Sequence, residues 1–242
     1  MIRIGIYGSQ GRMGRTIAGV LGDMDAVLGG AGDAQDDPDQ VARASDVLMD
    51  FSVPAALDAH LAAAQAALRP ILVGTTGLQQ RHHDAIDQAA GVVPVLQTGN
   101  TSLGVALLAR LVREAAGRLG SDWDIEIVEA HHRNKVDAPS GTALMLAHAA
   151  AEGRGTRLAE AGVIGRAGLT GARASGTIGL ASLRGGSVIG DHQVVFASTG
   201  ERIELGHRAD DRTIFATGAV RAAQWLARQA PGRYTMDEVL GL

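Results

Sequence analysis

The chain has 242 residues, 46% of them hydrophobic, 20% charged and 3% aromatic, which suits one large soluble domain or two modest ones with cores of Ala, Val, Leu and Ile. The net charge of −4, with no basic block, argues against a nucleic-acid or anionic-membrane partner. The absence of Cys excludes disulfides, thiolate metal sites and cysteine nucleophiles, in keeping with a reducing, cytoplasmic compartment.

The opening apolar run Ile2–Tyr7 ends at Gly8, too soon for a signal peptide, and no apolar stretch approaches the roughly 20 residues of a membrane span. Ile2–Tyr7 is predicted as a buried strand, followed after a glycine-rich turn by a helix over Arg12–Leu21. Further strands are predicted at Ala26–Gly30, Val47–Phe51, Ile71–Val73 and Val93–Leu96, with helices at Pro54–Ala67 and Gln79–Ala90 between them. This alternation implies a doubly wound parallel sheet with helices on both faces, an α/β fold of Rossmann type.

The pattern then changes. A long helix is predicted over Leu103–Leu119, a strand over Asp124–Ala130, and a helix over Ser140–Ala151 with Pro139-Ser140 as its start signal. Gly153–Ala174 lacks periodicity and is expected to be a long loop. Gly176–Leu183, Ser187–Ser198 and Glu201–Arg208 are predicted as antiparallel strands, and Thr213–Arg228 as a helix. The expected organisation is a dinucleotide-binding domain of residues 1–102 and 212–242. Into it is inserted an α+β domain of residues 103–211 with a mixed or antiparallel sheet. The fold-back of the last helix onto the first half is expected from chain order alone.

Gly8-Ser9-Gln10-Gly11-Arg12-Met13-Gly14 links the first strand to the first helix. Glycines there allow a tight turn and a close approach of pyrophosphate to helix N–H groups, though a lone glycine pattern is also met in plain strand-to-helix turns. Asp33, about 20 residues on, can accept hydrogen bonds from ribose hydroxyls and would repel a 2′-phosphate. Ala34 follows, with no Arg to hold that phosphate, so NADH is expected to be preferred, with NADPH possible. Gly74-Thr75-Thr76-Gly77 and Thr98-Gly99-Asn100-Thr101 follow later strands, where sheets of this kind meet their ligands.

The segment Glu129-Ala-His-His-Arg-Asn-Lys-Val-Asp-Ala-Pro-Ser-Gly-Thr142 carries the chemistry. Of 22 basic residues, Lys135 alone is Lys. An ammonium gives up a proton far more readily than a guanidinium. His131 and His132 suit acid–base work, and adjacent side chains on an extended segment point to opposite sides, so they do different jobs. Glu129 and Asp137 could complete a metal site, but no zinc-type spacing is present and no metal is expected. Ser140, Gly141 and Thr142 open a helix whose N–H groups would hold a carboxylate.

Glu129–Ala143 closely resembles the signature of the dihydrodipicolinate reductase family, of the diaminopimelate route to lysine. The resemblance spans nearly the whole chain, including Gly8–Arg15 (with Gln10 where Gly is more usual), Arg184-Gly-Gly-Ser-Val-Ile-Gly-Asp-His192 and Gly218–Ala222. It implies His131 as proton donor or acceptor, Lys135 as a second proton donor, and His132, Gly141 and Thr142 as substrate-holding. It implies cofactor contacts at Gly8, Ser9, Gln10, Gly11, Arg12, Met13, Asp33, Gly74, Thr75, Thr76, Thr98, Gly99, Asn100 and Thr101. It also implies a cyclic dicarboxylate substrate and a homotetramer formed through the sheet of the second domain. Ala34 departs from members that use NADPH readily. The rivals are another nicotinamide oxidoreductase acting on an aldehyde without a thiol, and a non-catalytic dinucleotide sensor, which would not need the His-His-x-x-Lys cluster.

Overall fold

The computed structural model describes all residues from Met1 to Leu242. In chain order the elements are β1 (Ile2–Tyr7), α1 (Arg12–Val20), β2 (Ala26–Gly32), α2 (Pro38–Ala44), β3 (Val47–Asp50), α3 (Leu57–Ala67), β4 (Ile71–Val73), α4 (Gln80–Ala90) and β5 (Pro94–Gln97). Then come α5 (Leu103–Leu119), β6 (Asp124–His131), α6 (Gly141–Gly153), α7 (Leu158–Ala161), β7 (Gly162–Ile164), β8 (Ile178–Arg184), β9 (Asp191–Ser198) and β10 (Glu201–Arg208). The chain closes with α8 (Thr213–Leu226), β11 (Gly232–Tyr234) and α9 (Met236–Val239). Two units result, Met1–Leu103 with Thr213–Leu242, and Gly104–Arg212. No helix is long and apolar enough to cross a membrane.

The first unit holds a six-stranded, all-parallel sheet in the order β11-β5-β4-β3-β1-β2. Its central strands read as unbroken apolar runs because both faces are covered: every residue of β3 and β4 is buried. Helices α1 and α8 pack against each other, and α8 lies on β3 and β4; α2, α3 and α4 pack in succession. Strand order reverses at β1, with β2 on one side and β3 on the other. Open sheets of this kind bind ligands at that switch point, beyond the strand C-termini.

The second unit holds a five-stranded sheet in the order β10-β9-β6-β8-β7. Strand β6 shows why its residues form a half-buried strand: alternate residues Ile125, Ile127, Glu129 and His131 are buried and those between are not. The buried face packs on α6, whose Ala143, Leu146, Ala147 and Ala150 join Ile125, Ile127, Ile178, Val194 and Phe196 in one core. Small side chains let α6 sit close to the sheet. On β6 this face begins apolar and ends in a carboxylate and an imidazole, so the strand runs from the core into the site.

Two expectations are corrected, and one further helix is added. Residues 176–208 are not a run of antiparallel strands: β8 pairs parallel with β6, while β9 pairs antiparallel with both β6 and β10. Strand β6 lies between β8 and β9, so the Gly-containing stretch linking those two crosses over it instead of closing a hairpin. Gly153–Ala174 is not loop throughout, because α7 and β7 lie within it and β7 extends the sheet parallel to β8. Helix α2 was not among the predicted elements: Asp37 caps it, accepting from the Asp39 N–H, with Pro38 at the first helical position.

Candidate active site

In the first unit a cavity of about 430 Å³ opens at the switch point. Its lining comes from the C-terminal ends of three strands: Gly8 and Gly11 after β1, Asp33, Ala34 and Asp36 after β2, and Phe51–Val53 after β3, with His60 of α3. Gly8 has φ +78, and a Cβ there would sit 2.5 Å from the Phe51 carbonyl oxygen. Only glycine fits this turn. Gly11 caps α1 without a side chain, which leaves the helix N-terminus uncovered. A backbone cradle at a helix start and a carboxylate at the end of β2 suit a nicotinamide dinucleotide.

Asp33 also organises this loop. Its carboxylate accepts from Ser9 Oγ at 2.6 Å and from the Gln10 N–H at 3.1 Å. Asp50, fully buried at the end of β3, does the same for the next two loops: it accepts from Ser52 Oγ at 2.6 Å and Thr75 Oγ1 at 2.9 Å, and pairs with His60 Nδ1 at 2.9 Å. The His60 ring stacks on Tyr7 with centroids 3.9 Å apart. The Thr98 hydroxyl turns back to the Asn100 carbonyl, and that of Thr101 donates to the Phe215 carbonyl in α8. The Thr75, Thr98 and Thr101 hydroxyls are thus spent on loop shape.

The second unit places the end of β6, the loop after it and the start of α6 around one carboxylate. Glu129, 1% exposed, has Oε2 2.6 Å from His131 Nδ1 and accepts the Ser140 N–H through Oε1 at 3.2 Å. Arg184, opposite His131 on β8, donates to both Glu129 oxygens at 2.8 Å and to the Asp137 carbonyl at 2.6 Å. Such paired, charge-assisted bonds fix orientation as well as energy. Ser140 caps α6, its Oγ accepting the Ala143 N–H, and also lies 3.1 Å from His192 Nε2. The His192 ring meets His131 edge-on at 5.1 Å. Lys135 Nζ lies 2.8 Å from Asp137 Oδ1, so the two proton-bearing groups each have a carboxylate of their own.

Burial pushes Glu129 up, but hydrogen bonds from Arg184, Ser182 and His131 outweigh it and hold the group down to about 2. Burial, with His131 beside it, pulls His192 down to about 4 from 6.5. The unfolded chain therefore takes up a proton on His192 between pH 6.5 and 4 that the folded chain refuses, and stability falls as pH falls through that window. The Glu129 contribution is lost lower, from about pH 4.5 down to 2. We expect thermal melts to show a falling Tm from pH 7 to 5, as His192 costs at most roughly 2 kcal/mol of stability over that range. A Tm unchanged over that range contradicts it.

Of the residues expected in the site, Gly8–Met13, Asp33, Gly74–Thr76 and Thr98–Thr101 lie at the C-terminal ends of β1, β2, β4 and β5 in the first unit. His131, His132, Lys135, Gly141 and Thr142 lie together in the second. His131 is buried and His132 half-buried, as alternation on a strand predicts. A Cβ at Gly141 would meet nothing within 4 Å, so the first turn of α6 has open space before it. The anchoring roles of Glu129, Arg184, Ser140 and His192 were missed. Glu129 was within reach, since residues two apart on a strand share a face; Arg184 and His192 arrive by strand register.

The chain matches the family models for the dihydrodipicolinate reductase N-terminus over residues 2–101 and C-terminus over residues 104–240. It is 55% identical, over 100% of this chain and 98% of the relative, to the 4-hydroxy-tetrahydrodipicolinate reductase of Zymomonas mobilis subsp. mobilis. It is 46% identical to the protein of that name from Caulobacter vibrioides, over 99% and 97%. Among solved structures, a dipicolinate-bound dihydrodipicolinate reductase from Paenisporosarcina sp. TG-14 shares the fold, with TM-score 0.79 at 22% identity over 98% of both chains. A C. glutamicum DAP dehydrogenase in complex with DAP gives TM-score 0.58 at 15% identity, over 97% and 92%. With matched models over nearly its whole length and a relative 55% identical across the whole chain, this chain belongs to the dihydrodipicolinate reductase family.

Proposed function

We propose that this chain reduces 4-hydroxy-tetrahydrodipicolinate to tetrahydrodipicolinate with a reduced nicotinamide dinucleotide, in the diaminopimelate route to lysine. The relatives of that name support the substrate. One observation carries the chemistry: the Glu129 carboxylate binds both the His131 ring and the backbone of Ser140, the N-cap of α6. A proton carrier and an anion-binding helix start thus share one anchor.

The first unit is the dinucleotide domain and the second the substrate domain. The cofactor, when bound, supplies the hydride. As the ring gains electrons, negative charge moves toward its nitrogen. The His131 imidazolium gives a proton and becomes neutral, and Lys135 is the second donor. His132, Lys135 and the first turn of α6 at Gly141 and Thr142 hold the substrate carboxylates. The hydroxyl takes up a proton and leaves as water while the ring gives up a C–H proton, and the reduced ring is then protonated, so one NAD(P)H and a net one proton are consumed per turnover. Loss of reduced-nicotinamide absorbance on adding freshly generated substrate tests this. NADH binding without turnover would favour a sensor instead.

Asp33, Asp36 and Ala34 together line the first-unit cavity. Two carboxylates and no Arg disfavour a 2′-phosphate, so NADH is the preferred cofactor and NADPH the poorer one. Ala34→Arg should raise kcat/KM for NADPH roughly tenfold, the worth of one charge-assisted hydrogen bond. Parallel NADH and NADPH titrations measure it; an unchanged ratio would put the discriminating contact elsewhere. The homotetramer would form through the outer face of the second sheet, where Val128, Ala130 and Leu183 lie and Leu183 is 58% exposed.

A further inference from the structure

We infer that Glu129 is a positioning residue for proton transfer: its buried carboxylate, clamped by Arg184, holds His131 as the Nδ1–H tautomer and turns Nε2 toward the space kept open at Gly190. The inference rests on the reading that His131 moves the proton. Its geometry stands on four contacts to one side chain. Arg184 Nη1 and Nη2 donate to Oε2 and Oε1, each at 2.8 Å, the Ser140 N–H donates to Oε1 at 3.2 Å, and His131 Nδ1 lies 2.6 Å from Oε2. An ionised carboxylate only accepts, so Nδ1 must be the ring nitrogen that carries hydrogen. The exchangeable proton then belongs to Nε2.

Arg184 keeps the clamp from rotating. It also donates to the Asp137 carbonyl at 2.6 Å and the Leu183 carbonyl at 2.6 Å, which ties the guanidinium to backbone on both sides. On the far side of the ring, a Cβ at position 190 would lie 3.1 Å from His131 Nε2 and 3.5 Å from His192 Cε1. The ring cannot swing away from such a group while Glu129 holds it, so glycine at 190 keeps Nε2 accessible. Neither Glu129 nor Arg184 needs to touch substrate; both act through His131. A base oriented by a third group is the general arrangement of a nucleophile or proton relay, here built across two parallel strands.

The charged and titratable groups around His131 are Glu129 on its own strand, Arg184 on β8 and His192 on β9. His207 pairs with His192 from β10, and the Lys135–Asp137 pair lies in the loop after β6. Of these, Glu129 is the group bonded to the His131 ring, through Nδ1 at 2.6 Å.

Long-range ¹H–¹⁵N spectra of the wild-type His131 ring, assigned against His131→Gln, test the tautomer without altering the clamp. Hydrogen on Nδ1 and none on Nε2 in the neutral ring is expected; the reverse overturns the inference. Glu129→Gln should lower kcat about 100-fold, leave substrate KM within about threefold, and be partly rescued in Glu129→Asp. An unchanged kcat would overturn it. Added to His131→Gln, the Glu129→Gln change should cost nothing further; an equal loss there would show that Glu129 acts on something else. A fully active His131→Gln enzyme would sink the underlying reading of His131 instead.

Discussion

Lys135→Arg is expected to lower kcat about 100-fold or more, within the usual range for a lost general acid, while substrate KM changes little. The substitution keeps the positive charge and an ion pair with Asp137, which holds Nζ at 2.8 Å. It keeps a donor for a substrate carboxylate as well. What it removes is a proton that can leave: an ammonium deprotonates in the range that enzymes exploit, and a guanidinium does not. Lys135→Met, which loses charge and proton together, should raise KM as well. The comparison separates holding from proton delivery. A Lys135→Arg enzyme with wild-type kcat would leave Lys135 as a carboxylate-binding cation and His131 as the sole proton donor.

Gly218→Ala is expected to destabilise the first unit by about 3 kcal/mol, the upper end for overpacking a tight contact. In an exposed helix the same change stabilises by up to about 1 kcal/mol. Here the sign reverses, because a Cβ on Gly218 would lie 1.9 Å from the Thr101 carbonyl oxygen. That backbone cannot move aside cheaply. Thr101 is 3% exposed and its hydroxyl is bonded to the Phe215 carbonyl one turn earlier on α8. The displaced segment is the one expected to contact the cofactor, so KM for NADH should rise along with the loss of stability. Gly19→Ala in α1, where a Cβ meets nothing within 4 Å, is the control and should be neutral or stabilising. Denaturant midpoints compare the two. Equal midpoints would mean that α8 and the 98–101 loop separate more easily than their packing indicates.

The parallel sheet was legible because its strands are short apolar runs and its helices lie between them. β3 and β4 are buried on both faces and so carry no alternation that could be misread. Helix α2 was not, since Asp36, Asp37 and Asp39 around its start show no apolar periodicity, and only the cap made by Asp37 marks it. The parallel pairing of β8 with β6 was illegible for a different reason. Alternation assigns residues to faces and says nothing about which strand lies beside which. The site divides the same way. His131, Lys135 and the start of α6 sit in one continuous stretch and were readable together. Arg184 and His192 reach Glu129 and His131 from neighbouring strands, through a register that composition and periodicity do not contain. Periodicity also says nothing about substrate; that came from the family signature.

The return of the chain after residue 212 sets the order in which the protein can be completed during synthesis. Residues 104–212 are contiguous and can close their own core as soon as they have emerged. The sheet begun by β1 to β5 cannot. Its face over β3 and β4 waits for Ala216, Ala219, Val220, Ala223 and Leu226 of α8, and its β5 edge waits for β11. A nascent chain therefore carries an uncovered apolar sheet from the end of β5 until α8 has emerged. A premature stop between Arg212 and Leu226 would leave the contiguous second unit attached to a first unit whose sheet lacks all or part of α8 and its β11 edge.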